Sequence, residues 1–320
     1  MKKFRIAIIG AGFSGVILAE ELQKFADVKI FEKSRGTGGR MSTRYAEDFS
    51  FDHGLQYFTV SGAKFQQFLN PFILAQDVVT WDGDTIELPS NTKKPSKPRF
   101  VAAPNMNSLC KKIAKNLDIN LGIEIAPLQP KANDGWHLQD KAGNELGIFD
   151  LVISTAPVAQ TENLFGNHFP ANQAVMKPCF ALMLGFAQKW SQDWVLAKVK
   201  QNPIKLIAVN SSKPKRNDKV TSLVIQSSDT WTKDHLEDEP EKVQEILLQN
   251  FSQLTEIDHK QAQYISLHRW RYALVESSKK QKFCDLNLGL AATSDWICDS
   301  KLEDIWLAAM DLCEEIKRKI

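Results

Sequence analysis

The first forty residues alternate short apolar runs with glycine-rich turns. Residues 4–9 form an apolar run typical of a buried parallel strand. A glycine-rich turn follows, and residues 16–25 then carry apolar side chains at helical spacing. Residues 28–31 are a second apolar run, which ends at Glu32. The order of strand, turn, helix, strand and acidic residue predicts a βαβ dinucleotide-binding unit.

Each glycine of the first turn has a physical role in that prediction. Gly10 permits the tight turn, and Gly12 lets backbone amides approach a diphosphate. Gly15 lets the helix pack close to the strand, and Ser14 lies in the same turn. The positive end of the helix dipole then faces the phosphates. Glu32 is expected to accept hydrogen bonds from the ribose hydroxyl groups of adenosine.

A second glycine turn, at residues 36–40, helps to separate the candidate cofactors. A simple nicotinamide dehydrogenase has no need of Gly-Gly-Arg directly after the ribose-binding acid. A two-domain flavoprotein uses such a loop to turn back over the same diphosphate, which Arg40 would neutralise. Lys33, Gly39 and Met41 belong to the same stretch. The alternative is an ordinary basic surface loop, but the position favours phosphate and therefore FAD.

The remaining chain predicts more strands than helices. Strands are predicted at residues 119–125, 135–139, 149–154, 177–188, 205–210, 220–226, 261–273 and 288–292. Helices are predicted at residues 64–70, 104–117, 242–254 and 301–319. The last of these has an acidic start and a basic end, which matches its dipole.

The composition indicates a protein with a sizeable core and no nucleic-acid or membrane partner. The chain has 320 residues, of which 43% are hydrophobic, so a sizeable core can be buried. Its 40 basic and 38 acidic residues give no reason to expect nucleic acid or an anionic membrane as partner. No apolar run approaches the roughly 18 residues of a membrane span. Five scattered cysteines without a Cys-x-x-Cys pair fit reduced thiols in the cytoplasm and no metal site.

Four segments together resemble a known family. The two glycine turns are followed by Asp-His-Gly-Leu-Gln-Tyr-Phe-Thr at residues 52–59. The other matching segments are residues 38–44 (Gly-Gly-Arg-Met-Ser-Thr-Arg), 268–273 (His-Arg-Trp-Arg-Tyr-Ala) and 294–296 (Ser-Asp-Trp). The sequence resembles the renalase-like branch of the amine-oxidase flavoprotein superfamily, which comprises NAD(P)/FAD-dependent oxidoreductases.

The resemblance implies an α/β fold made of two domains. A Rossmann-like FAD-binding domain would comprise residues 1–61, 101–160 and 274–320. An inserted α+β substrate-capping domain, built on an antiparallel or mixed sheet, would comprise residues 62–100 and 161–273.

The resemblance also implies further cofactor-binding residues. Gln56, Tyr57 and Phe58 would run along the flavin ring. The backbone of Ile125 would pass the adenine, and Asp295 would hold the ribityl or diphosphate side of FAD. Leu302 lies in the first turn of the final helix, whose amino terminus would point at the flavin pyrimidine.

No residue is given a catalytic role, and the pocket candidates are Tyr57, Phe58 and Trp270. For Trp270, cross-strand packing is an equal alternative to a place in the pocket wall. For His53, a structural hydrogen bond is preferred to catalysis. Strand alternation puts Trp270 and His268 on one face, opposite the neighbouring arginines. Four basic residues are weaker candidates for contacts with substrate phosphates, and they are Lys205, Lys213, Arg269 and Arg271.

By resemblance, the protein would bind FAD non-covalently and oxidise a small substrate. Dihydronicotinamide isomers would give a hydride to flavin N5, and dioxygen would reoxidise the flavin. This chemistry needs no protein base. One alternative is an amine oxidase or desaturase. Another is an FAD-binding protein without turnover, because Ser294 replaces the family's glycine, and Asp299 and Asp304 stand where small residues are usual.

Overall fold

The computed structural model describes residues 3–130, 132, 134–170, 174–277, 282–298 and 300–320. The predicted position Asp299 therefore lies outside the described residues. The chain forms two compact units. The first comprises Met1–Gly39, Cys110–Val175 and Val275–Ile320, and the second comprises Arg40–Leu109 and Met176–Leu274.

The described residues form strands and helices along the whole chain. The strands are β1 Arg5–Ile9, β2 Asp27–Glu32, β3 Thr43–Ala46, β4 Phe49–Asp52, β5 Val78–Thr80, β6 Asp84–Leu88, β7 Thr92–Lys94, β8 Phe100–Ala102, β9 Asp118–Leu121, β10 Trp136–Gln139, β11 Glu145–Phe149, β12 Leu151–Ser154, β13 Val175–Phe186, β14 Trp194–Val199, β15 Ile204–Val209, β16 Thr221–Ser227, β17 Tyr264–Ser277, β18 Phe283–Asp285 and β19 Leu290–Ala292. The helices are α1 Phe13–Leu22, α2 Ala63–Leu74, α3 Ser108–Ile113, α4 Val158–Phe165, α5 Asp229–Asp234, α6 Pro240–Thr255 and α7 Leu302–Lys317.

The first unit is built on a sheet of order β18-β19-β12-β1-β2-β9. All neighbouring strands are parallel except β18, which runs antiparallel to β19. The central strands are apolar without alternation, and Ile6, Ala7 and Ile8 are fully buried, as expected of a parallel sheet covered on both faces. Helix α1 packs against α7. A parallel sheet of this kind places loop residues together at the carboxyl ends of its strands.

The second unit is built on a sheet of order β17-β13-β16-β15-β14-β6-β7. It is mixed, because β14 pairs parallel with β6 while β15 and β16 pair antiparallel. Side chains of β13 alternate between two cores: Leu182 and Leu184 belong to a cluster that includes Phe251 of α6. Met183 lies in a separate cluster with Phe51 of β4. The two sheets confirm the predicted fold class.

The predicted helix at residues 104–117 begins too early, since α3 spans Ser108–Ile113 and a 3-10 helix continues it over Ala114–Asn116. The amide of Met106 donates to the Asp52 carboxylate (2.9 Å), and the amide of Asn105 donates to the Ser108 hydroxyl (3.3 Å). These bonds hold the preceding residues outside the helix. The sequence patterns also gave no prediction of β14 or α4. None of the helices that the structure describes is both long and apolar enough to cross a membrane.

Candidate functional site

The first glycine turn joins β1 to α1, and two of its glycines are required by the protein itself. Gly10 has a φ of +107°, and a Cβ atom there would lie 2.6 Å from the Thr155 hydroxyl oxygen. A Cβ atom at Gly15 would lie 2.0 Å from the carbonyl oxygen of Gly10. No side chain fits at either distance, so the turn closes only with glycine at both positions.

Gly12 differs, because the surrounding protein leaves room for a Cβ atom. Among the residues that the structure describes, an added Cβ would meet only the Cα of Gly39 within 4 Å, at 3.9 Å. Gly12 is also the N-cap of α1 and has ordinary extended backbone, with φ of −73°. The surrounding protein therefore does not by itself require glycine here, and the amino terminus of α1 has room for a group that approaches the backbone, as a diphosphate does.

The second glycine turn lies directly against the first. The amide of Gly38 donates to the carbonyl of Ala11 (2.9 Å), and Gly12 and Gly38 form a parallel bridge. Gly39 has a φ of +52°, and a Cβ atom there would lie 3.2 Å from the Cα of Gly12. The structure thus brings together the two turns that the sequence predicts on one diphosphate.

Glu32, at the end of β2, forms hydrogen bonds with the first glycine turn and with the start of the segment that leads to the second. Its carboxylate is 9% exposed and accepts from the amide of Ala11 (2.8 Å) and from the amide of Ser34 (2.8 Å). An ionised carboxylate offers about four acceptor positions, so two remain for ribose hydroxyl groups. Glu32 therefore fixes the turn and still presents acceptors beside it.

Three other predicted residues of the first unit have different environments. Ser14 is buried in the first turn of α1, whereas Lys33 is exposed. Ile125 is buried and forms an isolated bridge with Asp140.

Further residues follow other parallel strands at the same edge of the sheet. Thr155 directly follows β12, and its hydroxyl donates to the carbonyls of Ile9 (3.0 Å) and Gly10 (3.2 Å). Strand β19 runs parallel to β12, and Asp295 comes just after it. Because parallel strands end at one edge, Asp295 lies beyond the edge that holds the glycine turn. The sequence predicts the strand that ends before Thr155, but Thr155 is not among the predicted site residues.

The structure describes Asp295 and two positions, Ser294 and Asp304, at which the sequence departs from the renalase-like pattern. Asp295 is 2% exposed and accepts a hydrogen bond from the Ser294 hydroxyl (3.0 Å). Ser294 has extended backbone, with φ of −167°, so its position does not need glycine. Helix α7 begins at the buried Leu302, one residue after the predicted start at Lys301. Asp304 lies in its first turn, where the helix dipole favours an acid.

In the second unit, Arg40 and Met41 are held by the segment that follows β4. The carbonyl of Arg40 accepts from the amide of Leu55 (2.8 Å), and a Cβ atom at Gly54 would lie 2.1 Å from the same oxygen. The Arg40 guanidinium is 3.5 Å from the carbonyl of Ala273, and Met41 is buried. These contacts fix the backbone from which Arg40 projects.

Gln56 is buried and its amide group is engaged by the protein. Its nitrogen donates to the carbonyls of Asp52 and Gly54, the latter at 3.1 Å. Its oxygen accepts from the Lys213 ammonium (3.3 Å). The side chain therefore has one fixed orientation.

Tyr57 and Phe58 lie among aromatic rings. The Phe58 ring is 4% exposed, stacks on Phe100 with centroids 6.1 Å apart, and meets Phe65 edge-on at 6.4 Å. The backbones of Phe58 and Phe100 exchange two hydrogen bonds. The half-buried Tyr57 ring lies 6.2 Å from that of Trp81.

Trp270 belongs to a cluster with two histidines. Its indole nitrogen donates to the carbonyl of His53 (3.0 Å), and its ring stacks on the imidazole of His53 at 5.3 Å and 22°. His268 meets the Trp270 ring at 4.4 Å. Trp270 and His268 share a face of β17, as strand alternation predicts.

The opposite face of β17 carries the two arginines. Arg271 binds both carboxylate oxygens of Glu237, and Arg269 donates to the carbonyl of Leu236 (2.8 Å) and to Glu237 (3.4 Å). Both guanidinium groups therefore have an acidic partner within their own unit.

Burial keeps the histidine pair neutral. Burial, His268 and Arg44 lower the pKa of His53 to about 4, against a smaller opposing effect of the Phe51 carbonyl. Burial and Arg44 also lower the pKa of His268. Neither ring carries charge at neutral pH.

A buried ionic network, which sequence analysis missed, surrounds Asp52. Its side chain is fully buried, and one carboxylate oxygen contacts Lys213 (3.0 Å) and Arg216 (2.8 Å). The other oxygen accepts from Thr43 (2.7 Å) and from the amide of Met106 (2.9 Å). Burial alone would raise the pKa of Asp52, but the two cations and these hydrogen bonds hold it well below its usual range.

Comparison with known proteins agrees with this geometry. A family profile described as an NAD(P)-binding Rossmann-like domain matches residues 8–72, which include both glycine turns and Glu32. The structure resembles a provisionally named protoporphyrinogen oxidase from Exiguobacterium sp. 255-15, with a TM-score of 0.80, 12% identity and full coverage of both chains.

Two amine oxidases are also similar. Putrescine oxidase bound to putrescine matches with a TM-score of 0.73 and 10% identity over 99% of each chain. Cyclohexylamine oxidase from Brevibacterium oxydans IH-35A matches with a TM-score of 0.72 and 12% identity, over 99% of this chain and 100% of the other. The TM-scores of these matches show a common fold over nearly the whole chain, in which a Rossmann-like domain carries the glycine turns.

Proposed function

We propose that this protein is an FAD-dependent oxidoreductase. The observation that carries the proposal is Gly12 at the amino terminus of α1, where an added Cβ would make only an ordinary contact, 3.9 Å from the Cα of Gly39, among the described residues. The second glycine turn and Glu32 lie beside it. A dinucleotide diphosphate fits such a place, because it is anionic and needs close backbone approach. The two adjacent turns and the arginine after them favour FAD over a nicotinamide cofactor.

Several residues would hold FAD in this proposal. The diphosphate site would be formed by Gly10, Gly12, Ser14, Gly15 and Gly39. Arg40 would neutralise the charge of the diphosphate, and Lys33 and Met41 would flank the second glycine turn. Glu32 would accept from the ribose, with the backbone of Ile125 near the adenine. Asp295 would bind the ribityl chain, and the start of α7 at Leu302 would face the flavin pyrimidine. The flavin ring would lie along Gln56, Tyr57 and Phe58.

Bound FAD would supply a hydride acceptor, and the protein would bind and orient the substrate. The substrate-capping role belongs to the second unit in this proposal, with Tyr57, Phe58 and Trp270 as pocket candidates. The substrates proposed are dihydronicotinamide isomers, as the renalase-like sequence segments imply. Such a substrate becomes aromatic when it loses a hydride, so no protein base is needed. FAD would be held non-covalently, with dioxygen as the final acceptor.

A second candidate is an amine oxidase, favoured by the structural similarity to putrescine oxidase and cyclohexylamine oxidase. A third is an FAD-binding protein without turnover. The acidic side chains near the start of α7 favour this candidate. The change from glycine to Ser294 does not, because its extended backbone suits any residue.

Anaerobic titration of the purified yellow protein separates these candidates. Dihydronicotinamide isomers should bleach the flavin absorbance, and amines such as putrescine should not. Bleaching by amines alone would favour the second candidate. Reduction by dithionite but by none of these compounds would favour the third.

A further inference from the structure

Arg44 of β3 is a charged residue that the proposed function does not use. It is half-buried, and its Nε atom is buried. The guanidinium has no hydrogen-bond or ion-pair partner among the residues that the structure describes. Because buried N–H groups are nearly always satisfied in folded proteins, this side chain is suited to an acceptor outside the polypeptide.

Arg44 lies on the face of the β3-β4 hairpin that packs against β17. It is opposite Phe51 in the antiparallel pair, and opposite residues of such a pair share a face. The Phe51 ring stacks on Tyr264 of β17, with centroids 5.2 Å apart and planes at 19°. Tyr264, His268 and Trp270 share that face of β17, because they are an even number of residues apart. The guanidinium therefore belongs to the side of the hairpin that meets the histidine and tryptophan cluster.

The charge of Arg44 acts on both histidines of this cluster. Burial and then Arg44 lower the pKa of His268, and Arg44 adds to the effects of burial and His268 on the pKa of His53. Asp52 acts on His53 in the opposite sense, but its carboxylate already contacts two other buried cations. A half-buried guanidinium without an anion is costly, and an oxyanion would stabilise it.

His268 supplies a second polar group with unused hydrogen-bonding capacity. Its half-buried ring makes edge-on contacts with His53 at 4.8 Å and with Trp270 at 4.4 Å. Neither ring nitrogen has a hydrogen-bond partner within the described parts of the chain. A neutral imidazole has one N–H donor, which can bind the same oxyanion as a neighbouring guanidinium.

We propose that Arg44 and His268 bind an oxyanion of the substrate, either a phosphate or a carboxylate group, beside the ring of Trp270. The role in substrate binding rests on the proposed function, in which Trp270 is a pocket candidate. A guanidinium forms paired hydrogen bonds with both kinds of oxyanion. It also repels cations, so the site favours a dihydronicotinamide nucleotide, which carries phosphate, over a protonated amine.

Isothermal titration of the purified protein with FAD, at constant ionic strength, tests the site. The probes are phenyl phosphate, benzoate and the neutral benzamide. At least one of the two anions should bind saturably, with one site per chain and at least tenfold more tightly than benzamide. The anion that binds more tightly identifies the group that the site prefers.

Two matched pairs of variants locate the binding. Arg44→Gln should weaken binding of the preferred anion at least tenfold and leave that of benzamide unchanged. Arg271→Gln, at an exposed position paired with Glu237, should weaken neither. His268→Phe keeps an aromatic ring without its nitrogens and should weaken anion binding severalfold, whereas His137→Phe at an exposed position should not. Circular dichroism verifies that each variant folds.

The proposal is wrong if neither anion binds more tightly than benzamide, or if the variants weaken anion binding no more than their controls do. His268→Phe keeps the test decisive if Arg44→Gln does not fold. Failure of the proposed function would give a different result. If dihydronicotinamide isomers do not bleach the flavin while anion binding still depends on Arg44, the proposed substrates are wrong and the anion site stands.

Discussion

At the scale of single residues, the glycines of one motif are required for different reasons. Gly15 is required by the protein, because its missing side chain makes room for the carbonyl of Gly10. At Gly12 an added Cβ would make only an ordinary contact with Gly39, so in the proposed function the cofactor is what requires glycine there. The sequence motif contains both glycines but does not show whether the protein or the cofactor requires each one. Only the folded turn shows which atoms an added Cβ would meet at each position.

Replacing Gly15 by alanine should destabilise the fold. The new Cβ would force a backbone shift, and overpacking of this kind costs about 3 kcal/mol of unfolding free energy. Urea denaturation measures the change. Gly36→Ala is the matched control, because a Cβ at Gly36 would meet no atom within 4 Å. Equal stabilities of the two variants would contradict the described geometry of the turn.

Replacing Arg40 by alanine should weaken FAD binding without unfolding the protein. The loss of a charge-assisted hydrogen bond to the diphosphate corresponds to roughly 2–3 kcal/mol of binding free energy. Fluorescence titration of the apoprotein with FAD measures this change. Arg35→Ala, at an exposed position in the same loop, should leave FAD affinity nearly unchanged.

At the scale of elements, Asp52 joins three parts of the second unit. Its contacts connect the end of β4, the segment before α3 and the loop after β15. The sequence could not predict this network, because the segment at Lys213–Arg216 has the composition of a basic surface loop. Only a partner 161 residues earlier in the chain explains its burial. The same contacts explain why the helix predicted from residue 104 begins at Ser108.

Asp52→Asn should therefore destabilise the second unit strongly. The substitution leaves Lys213 and Arg216 buried without a carboxylate, and breaking a buried pair costs about 3–5 kcal/mol. Chemical denaturation checks this value. Asp84→Asn, which removes a partly exposed carboxylate paired with Lys93, should change stability by less than about 1 kcal/mol. A small effect at Asp52 would show that the network contributes little.

At the scale of the whole molecule, the fold was largely predictable and the substrate was not. The parallel sheet follows from apolar runs and glycine turns near the amino terminus, and the mixed sheet from later strand patterns such as that of β13. Identities of 10–12% with putrescine oxidase and cyclohexylamine oxidase extend over 99% of the present chain. Such different sequences share the fold, so specificity lies in side chains that the fold does not fix.

Stability of the whole protein should decrease between pH 7 and pH 5. The pKa of His53 is about 4 in the folded protein and near 6.5 when unfolded, so the unfolded chain binds more protons in this range. Protonation of His53 in the unfolded chain should lower the free energy of unfolding by about 2 kcal/mol between pH 7 and pH 5. Urea denaturation at both pH values measures the loss, which His53→Gln should reduce. An unchanged loss in that variant would contradict the assignment to His53.

The proposed function depends most on FAD binding beside Gly12. The direct test is the absorption spectrum of the purified protein and of its Gly12→Leu variant, each saturated with FAD and then freed of excess by gel filtration. The native protein should retain a flavin spectrum, while the variant should remain folded by circular dichroism and be colourless. A folded Gly12→Leu protein that keeps its flavin, or a native protein that never takes it up, would contradict the account.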